Sequence, residues 1–252
     1  MIGGVIATPN LSGHTALVIG AGNPVAASIA MALALSGANV AVTSATPDAE
    51  EAFELRRLSK RIAETGRRTM AESLDLSIAT SVQVAVRQVA KELGAIDLAI
   101  VAADLRLEQK PADRISDADW AKVIALNLSG VFYACREAVP EMKRRGGGFI
   151  INIGSLAGRY AMPGGSAYNA SKFGLIGFSE AMMLDVRQDD IRVSCVMPGS
   201  VATHFNNHTP TEADAWKIQP EDIAGVVLDL LATPARTLPS RVEVRPSKPA
   251  KK

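Results

Sequence analysis

Three side chains in the second half of the chain have the chemistry to act together on a carbonyl group. Tyr168 and Lys172 are four residues apart, so on a helix they share one face. A lysine ammonium beside a phenol favours tyrosinate and lowers the tyrosine pKa from about 10, which predicts a general acid or base usable near neutral pH. Ser155 ends an apolar run, where its hydroxyl could polarise a substrate carbonyl. A Tyr-x-x-x-Lys pair alone is also typical of an exposed surface pair.

The segment between Ser155 and Tyr168 has to bring these two hydroxyls together. It contains Pro163, Gly164 and Gly165, which are residues typical of turns. We therefore predict that this loop folds back and places Ser155 beside Tyr168.

A glycine-rich turn near the start of the chain is a second candidate site. Gly20 and Gly22 follow an apolar run and have the G-x-G spacing of a turn that holds a dinucleotide pyrophosphate. Pro24 lacks an N–H but suits the first turn of a helix, so the amides of Val25 and Ala26 are expected to face a ligand. A tight turn without any ligand explains the same residues equally well.

The end of the second apolar run bears on the choice of nucleotide. An acidic residue at this place would bind the ribose hydroxyls of NAD, but Thr43, Ser44 and the two residues that follow are neutral. The nearby acids, Glu50 and Glu51 among them, are predicted to begin the next helix. This pattern favours NADP over NAD, although no basic residue is present to bind a 2′-phosphate.

Seven apolar runs alternate with longer amphipathic stretches, which predicts an α/β fold. We expect one domain over residues 1–246, built on a doubly wound parallel seven-stranded sheet with helices on both faces (a Rossmann fold), and a flexible basic tail over 247–252. In such sheets ligands bind beyond the carboxyl ends of the strands. The predicted strands are 15–20, 39–44, 68–75, 96–103, 148–155, 191–198 and 240–246, and the predicted helices are 25–37, 47–65, 80–93, 117–144, 165–187 and 220–232.

Composition argues against several classes of protein. Of the 252 residues, 27 are basic and 26 acidic, and a net charge of +1 argues against a nucleic-acid-binding protein. No apolar stretch approaches the roughly 18 residues of a membrane span, and two cysteines cannot form a disulfide framework or a zinc cluster. His204 and His208 lack an evident third ligand, so no metal site is predicted. The N-terminus does not resemble a signal peptide, which favours a cytoplasmic protein.

Several motifs in a fixed order identify a resemblance. The chain resembles the short-chain dehydrogenase/reductase family to about residue 246, and most of all the branch that contains 3-oxoacyl-carrier-protein reductases. The matching segments are LVIGAG with Gly20, LDL with Asp75, LNLSGVF with Asn127, INIGS with Ser155, YNASK with Tyr168 and Lys172, and VMPGSVAT with Pro198, Gly199 and Thr203.

The resemblance implies an NAD(P)-dependent oxidoreductase that acts on a small carbonyl or alcohol substrate. Tyr168 would exchange a proton with the substrate oxygen, Ser155 would hydrogen-bond that oxygen, and Lys172 would bind the nicotinamide ribose. Asn127 would hold a water that relays protons towards Lys172. The helices at 117–144 and 165–187 would pair between subunits and form a homodimer or homotetramer.

The resemblance also implies where the nucleotide lies. Asp75 and Leu76 would meet the adenine ring, the segment 198–203 would cover the nicotinamide, and the loop over 204–208 would be a substrate flap. Together with the first turn and the second strand end, the predicted nucleotide contacts are Gly20, Gly22, Val25, Ser44, Asp75, Leu76, Ala102, Tyr168, Lys172, Pro198, Gly199, Val201 and Thr203.

Two departures from the family pattern leave a second hypothesis open. The family's glycine loop reads T-G-x-x-x-G-x-G, and here Pro24 and Ala26 replace later glycines. The family's N-N-A-G segment matches Val101 to Asp104, and we expect Asp104 to cap a turn rather than to face the site. A non-catalytic dinucleotide-binding or scaffold protein with a drifted cofactor loop is therefore the alternative to an enzyme.

Overall fold

A single sheet organises the molecule. The computed structural model describes residues 9–203 and 209–249. Within them, seven strands lie parallel in the order β3-β2-β1-β4-β5-β6-β7, which confirms the predicted doubly wound α/β fold. The strands are β1 (Thr15–Ile19), β2 (Asn39–Thr43), β3 (Thr69–Glu72), β4 (Leu98–Val101), β5 (Gly148–Ile153), β6 (Ile191–Pro198) and β7 (Arg241–Val244).

Helices cover both faces of the sheet. Buried residues of α1, α2 and α7 pack on one face around Val18 and Ile100, and those of α3, α5 and α6 pack on the other around Leu17 and Val101. Because both faces are covered, the central strands are apolar throughout rather than alternating. The helices are α1 (Pro24–Leu35), α2 (Ala49–Ala63), α3 (Ala79–Leu93), α4 (Asp117–Ile124), α5 (Val131–Arg145), α6 (Ser166–Val186) and α7 (Pro220–Ala232).

The long helix predicted over 117–144 contains a break in its hydrogen-bond pattern. A π-helical segment, Ala125–Gly130, joins α4 to α5, and Asn127 lies within it, fully buried. Gly130 closes this segment against the chain after β3, where an added Cβ would lie 2.6 Å from the Leu76 carbonyl oxygen. Such π segments are frequent at functional sites, and this one directs Asn127 towards the loop after β4.

Strand β3 is shorter than the predicted 68–75, and a side chain explains why. The Ser44 Oγ accepts a hydrogen bond from the Leu74 amide and donates one to the Leu74 carbonyl oxygen, both at 2.9 Å. The chain therefore leaves the sheet after Glu72 and is held by Ser44 instead of by a neighbouring strand. The fully buried Ser44 is thus already engaged in the fold.

The order of the strands reverses between β1 and β4, so the segments 20–23 and 102–106 flank a crevice at the carboxyl edge of the sheet.

Among the helices that the structure describes, none has both the length and the apolar character needed to cross a membrane. The predicted substrate flap at 204–208 lies outside the described residues, as do the first eight residues and positions 250–252 of the predicted tail.

Candidate active site

Tyr168 and Lys172 lie in the first two turns of α6, and both are buried. Ser155 lies two residues after the end of β5. Its Oγ caps a short 3-10 turn by accepting a hydrogen bond from the Ala157 amide at 3.1 Å. The Ser155 hydroxyl lies close enough to Tyr168 to lower the pKa of its phenol. The loop after β5 therefore folds back as the turn residues predict, and it brings the two hydroxyls to one place.

Asn169 holds this fold-back, and the sequence analysis assigned it no role. Its Nδ2 donates to the carbonyl oxygens of Ala157 and Tyr160, at 2.6 and 3.1 Å, and its Oδ1 accepts from the Met162 amide at 3.1 Å. Gly165 is close beside it, since an added Cβ would lie 2.7 Å from the Asn169 Oδ1. One buried amide therefore fixes the loop between Ser155 and Tyr168 to the helix that carries the tyrosine.

Asp104 faces the site, so the expectation that it caps a turn is wrong. Its Oδ1 accepts the Tyr168 hydroxyl at 2.9 Å and lies 2.8 Å from the Lys172 Nζ. The Lys172 ammonium also donates to the Ala103 carbonyl oxygen at 3.0 Å. The family pattern has a glycine at the position of Asp104. In this chain Asp104 thus places a carboxylate between the Tyr168 phenol and the Lys172 ammonium.

Burial and the Asp104 carboxylate together reverse the expected effect on the pKa of Tyr168. Burial raises the pKa of the Tyr168 phenol well above its usual value of 10, and the negative charge of Asp104 raises it further. The hydrogen bond from Ser155 and the charge of Arg106 lower the same pKa, but they do not outweigh the first two causes. The lowered tyrosine pKa expected from the Tyr-x-x-x-Lys spacing is therefore wrong for this arrangement, because spacing reveals neither the burial of the phenol nor the nearby acid.

Asn127 binds the loop after β4 rather than Lys172. Its Oδ1 accepts from the Leu105 amide at 2.7 Å, and its Nδ2 donates to the Leu105 carbonyl oxygen at 2.8 Å and to the Ser171 Oγ at 3.2 Å. These contacts fix the backbone next to Asp104. A water relay from Asn127 to Lys172 stays a prediction.

A small, solvent-open cavity of about 30 Å³ adjoins the Tyr168 side chain. The loop from Arg106 to Lys110 forms one wall, and the turn at Gly164 and Gly165 forms another. The Arg106 guanidinium lies 5.6 Å from the centre of the Tyr168 ring. The cavity therefore gives a small molecule access to the hydroxyl side of the site.

The first turn, after β1, is tight and largely satisfied by its own groups. Gly20 has φ +82°, and an added Cβ would lie 2.7 Å from the Ala102 carbonyl oxygen, so glycine is required there. The Asn23 Nδ2 donates to the carbonyl oxygens of Gly20 and Ala102, both at 2.9 Å, and thereby ties the turn to the end of β4. Its Oδ1 accepts from the Ala26 amide at 3.0 Å, so the prediction that Ala26 offers its amide to a ligand is wrong.

The sequence has no acidic residue at the tip of β2, but in the structure the Glu51 carboxylate reaches that tip. It lies in the first turn of α2, as predicted, but its side chain returns to the strand end. Oε1 accepts from the Ala45 amide at 2.9 Å, and Oε2 accepts from the amide and hydroxyl of Thr46 at 3.2 and 2.8 Å. The same side chain packs on Gly22, where an added Cβ would lie 2.3 Å from the Glu51 Cγ.

The remaining predicted nucleotide contacts differ in what they can offer. The Asp75 Oδ1 already accepts from the amide and hydroxyl of Ser77, at 2.9 and 2.6 Å, and the Leu76 side chain is fully buried in the core. Beyond β6, the Gly199 amide donates to the Val244 carbonyl oxygen at 2.8 Å, and Val201 pairs with Ile218. Pro198 ends β6, and Thr203 is buried. Backbone pairing and burial therefore hold the segment from Pro198 to Thr203 in place, and we call this segment the wall at 198–203.

A family model described as short chain dehydrogenase matches residues 14–214. The chain belongs to the short-chain dehydrogenase family. Among its relatives, D-threitol dehydrogenase from Mycolicibacterium smegmatis is 34% identical over 197 residues, which are 78% of this chain and 74% of that protein. Glycine betaine reductase from Emericella nidulans is 29% identical over 246 residues; these span 94% of this chain but only 19% of that much longer protein.

Solved structures of this family superpose closely on the chain. A short-chain dehydrogenase from Burkholderia cenocepacia in complex with NADP is 28% identical, with a TM-score of 0.81 over 94% of this chain and 98% of that one. A 7α-hydroxysteroid dehydrogenase in complex with NADH and a 7-oxo bile acid is 25% identical, with a TM-score of 0.84 over 93% and 94% of the two chains. The chain is therefore an oxidoreductase of a family that binds NAD(P).

The residues at the carboxyl edge fit such a nucleotide. The turn at Gly20 and Gly22 lies at the switch point, where dinucleotides bind in doubly wound sheets. The Lys172 side chain has no exposed surface. Its Nζ contacts Ala103 and Asp104, in the loop after β4 that flanks the same crevice. Asn23 ties the first turn to the end of β4 through the Ala102 carbonyl oxygen.

Proposed function

We propose that the chain interconverts a small carbonyl compound and its alcohol with an NAD(P) nucleotide, and that Ser155, Tyr168 and Lys172 are its catalytic residues. One observation carries this proposal. Tyr168 lines an open cavity, the Ser155 hydroxyl acts on its phenol, and the buried Lys172 ammonium lies 5.5 Å from the centre of its ring. A substrate oxygen that enters this cavity would meet Tyr168, with Ser155 as the second hydroxyl donor of the proposed site.

When bound, the nicotinamide supplies a hydride to the carbonyl carbon or removes one from the alcohol carbon. In the direction of reduction, Tyr168 gives its hydroxyl proton to the substrate oxygen, and the C=O bond becomes an alcohol C–O bond. Ser155 donates a hydrogen bond to the same oxygen as its negative charge grows. The tyrosinate that remains takes a proton from water, and oxidation is the reverse sequence.

The residues that would hold the nucleotide follow the edge of the sheet. We assign the pyrophosphate to the turn at Gly20 and Gly22, with the Val25 amide at the start of α1. Lys172 and Tyr168 would bind the nicotinamide ribose, Asp75 the adenine, and the wall at 198–203 the nicotinamide. Ala102 contributes by its close approach to Gly20, and Leu76 could contribute only through its backbone.

We propose NAD(H) as the preferred nucleotide. The prediction of NADP(H) rested on neutral residues at the tip of β2, and the Glu51 carboxylate now lies at that tip. A carboxylate accepts hydrogen bonds from the ribose hydroxyls of NAD, whereas it repels the 2′-phosphate of NADP. The amides of Ala45 and Thr46, which could bind a phosphate, are already occupied by Glu51.

A non-catalytic nucleotide-binding protein is the second candidate. Two observations favour it: Asn23 occupies the Ala26 amide, and Asp104 already pairs with both Tyr168 and Lys172. Both would weaken nucleotide binding relative to a family member without them. This candidate predicts binding without turnover.

The test is turnover with a panel of aldehydes, ketones and alcohols, after titration with NADH and NADPH. The Tyr168→Phe variant is expected to bind the nucleotide normally and to lose at least about 100-fold in kcat. Tyr160→Phe is the matched control, because it removes a hydroxyl that contacts Arg245 outside the site. Nucleotide binding with no turnover by the wild type across the panel would favour the second candidate.

We also propose that two copies of the chain pair through α6. Its outer face carries an exposed apolar stripe of Phe173, Gly177, Ala181 and Leu184, at positions one helical turn apart. Gly177 has no atom within 4 Å of where its Cβ would be, so a second helix could approach closely there. The exposed Phe132 of α5 extends the apolar surface. A homodimer or homotetramer buries this stripe.

A further inference from the structure

Asp104 contacts two of the proposed catalytic side chains, Tyr168 and Lys172, with a single carboxylate oxygen. The same Oδ1 accepts the Tyr168 hydroxyl at 2.9 Å and pairs with the Lys172 ammonium at 2.8 Å. The Lys172 side chain has no exposed surface, while a third of the Asp104 side chain is exposed. The acid therefore stands at the mouth of the site, between solvent and a buried cation.

The backbone around Asp104 directs it there. On one side, the Ala103 carbonyl oxygen accepts from Lys172, and on the other, the amide and carbonyl of Leu105 are both bound by Asn127. Residues on both sides of Asp104 are thus fixed by side chains of α6 and of the π segment. Because these peptides are held, the backbone of Asp104 cannot move away without breaking contacts in two other elements.

The charged and polar groups that face Tyr168 come from three parts of the chain. Asp104 and Arg106 belong to the loop after β4, Lys172 belongs to α6, and Ser155 follows β5. On β6, Cys195 lies within electrostatic reach of Lys172. In this setting the negative charge of Asp104, 2.9 Å from the Tyr168 hydroxyl, opposes ionisation of the phenol.

We propose, on the basis of the function assigned to Tyr168, that Asp104 is a positioning residue that keeps the Tyr168 phenol protonated by pairing with Lys172 and accepting the phenol hydrogen. Carbonyl reduction needs this protonated form, because the phenol proton passes to the substrate oxygen. Alcohol oxidation needs the tyrosinate, because the alcohol proton passes to it. Reduction therefore proceeds at neutral pH, whereas oxidation rises only in alkaline solution.

A simpler role for Asp104 is that of counterion to a buried lysine. That role predicts a loss of stability when the carboxylate is removed, because a buried charge is left without its partner. A counterion that has no effect on the phenol predicts no change in the titration of Tyr168. The protonation of Tyr168 therefore separates the two roles, and it is measurable without nucleotide or turnover.

The decisive experiment titrates tyrosinate by its ultraviolet absorbance in the nucleotide-free protein. The chain has three tyrosines, so subtracting the curve of Tyr168→Phe from that of the wild type isolates Tyr168. We expect the wild-type Tyr168 to titrate above pH 10, and Asp104→Asn and Asp104→Gly to lower its midpoint by about one pH unit or more. Asp119→Asn is the matched control, since Asp119 lines the same cavity but pairs with Lys110.

The pH profile of alcohol oxidation gives a second readout. If Asp104→Asn lowers the midpoint by one unit, kcat/KM for oxidation at pH 8 rises about tenfold, because the fraction of tyrosinate rises by that factor. A wild-type midpoint below pH 10 overturns the proposal, and so does an unchanged midpoint in both Asp104 variants, with or without a loss of thermal stability. If the wild type shows no turnover, the proposed function fails while the titration still tests Asp104.

Discussion

Glu51 reaches from the first turn of α2 to the tip of β2, where both of its oxygens accept hydrogen bonds. Its position is comparable to that of an acid at the strand end itself, because the turn before α2 is only a few residues long. At the scale of a single residue, this carboxylate sets the charge that a nucleotide ribose would meet. A glutamine of the same shape removes that charge and one of the two acceptors, because its NH2 group cannot accept from the Ala45 or Thr46 amide.

Glu51→Gln is therefore expected to shift the nucleotide preference towards NADP(H). Removing the negative charge relieves the repulsion of a 2′-phosphate, so the ratio of the Kd for NADPH to that for NADH should fall about tenfold, or roughly 1.4 kcal/mol. Fluorescence titration with both nucleotides measures this ratio. Glu50→Gln is the matched control, because Glu50 is exposed and makes no contact with the strand tip through its side chain in the structure described. An unchanged ratio in Glu51→Gln would contradict the proposed NAD(H) preference.

At the scale of elements, the site depends on how the loop after β5 is attached to α6. Asn169 makes three hydrogen bonds across this junction, and Gly158 packs so closely that an added Cβ would lie 2.7 Å from the Lys172 carbonyl oxygen. The motif residues alone do not hold Ser155 beside Tyr168. The junction does, because it removes the freedom of the intervening loop.

Asn169→Ala should reduce kcat/KM by about 10- to 100-fold, because Ser155 loses its fixed position relative to Tyr168. Buried backbone groups left without a partner should also lower the free energy of unfolding by about 1–3 kcal/mol. Steady-state kinetics and urea denaturation measure the two effects. Asn39→Ala is the control, since it removes one exposed hydrogen bond to the Arg68 amide at the opposite edge of the sheet.

The junction also shows how far the sequence could anticipate the site. The turn residues at 163–165 predict that the loop folds back, and the structure brings Ser155 and Tyr168 into contact. The role of Asn169 could not be predicted, because its partners are backbone groups of a loop whose path is decided by the packing of α6 on the sheet. The same holds for Asn127, whose side chain binds Leu105, 22 residues earlier in the chain.

At the scale of the whole molecule, the two edges of the sheet have different tasks. The candidate active site occupies the carboxyl edge, while the amino edge is tied together around Asp97. This buried acid accepts from the Thr15 amide and from the Arg145 Nε, both at 2.8 Å, and so joins β1 to the end of α5. A change there should affect stability and leave the chemistry alone.

Asp97→Ala is expected to lower the free energy of unfolding by about 1–3 kcal/mol, because the Thr15 amide loses its acceptor in a buried position. Urea denaturation measures this loss. The kcat of the folded fraction should stay within about twofold of the wild type, since additivity holds for distant sites. A large loss of kcat in fully folded Asp97→Ala would contradict the separation of the two edges.

The proposed pairing through α6 leads to a prediction about assembly. Gly177→Glu places a charge in the exposed apolar stripe without any clash inside the chain, since no atom lies within 4 Å of the new Cβ. The assembly should dissociate to monomers, which light scattering coupled to size-exclusion chromatography detects. Gly225→Glu is the matched control, because Gly225 is also an exposed, open glycine within a helix. Dissociation by the control alone would place the interface on α7 instead.

The amino-acid sequence by itself determined the architecture and the chemical types at the site. Apolar runs that alternate with amphipathic stretches specify a parallel sheet covered on both faces, and helical spacing puts Tyr168 and Lys172 on one side of α6. Only the tertiary structure decided what surrounds them. Asp104 meets a tyrosine 64 residues away, and Asn23 binds the Ala102 carbonyl oxygen at the end of β4, 79 residues away. Local patterns record spacing along one element, whereas the charge that a side chain meets depends on which strand ends become neighbours.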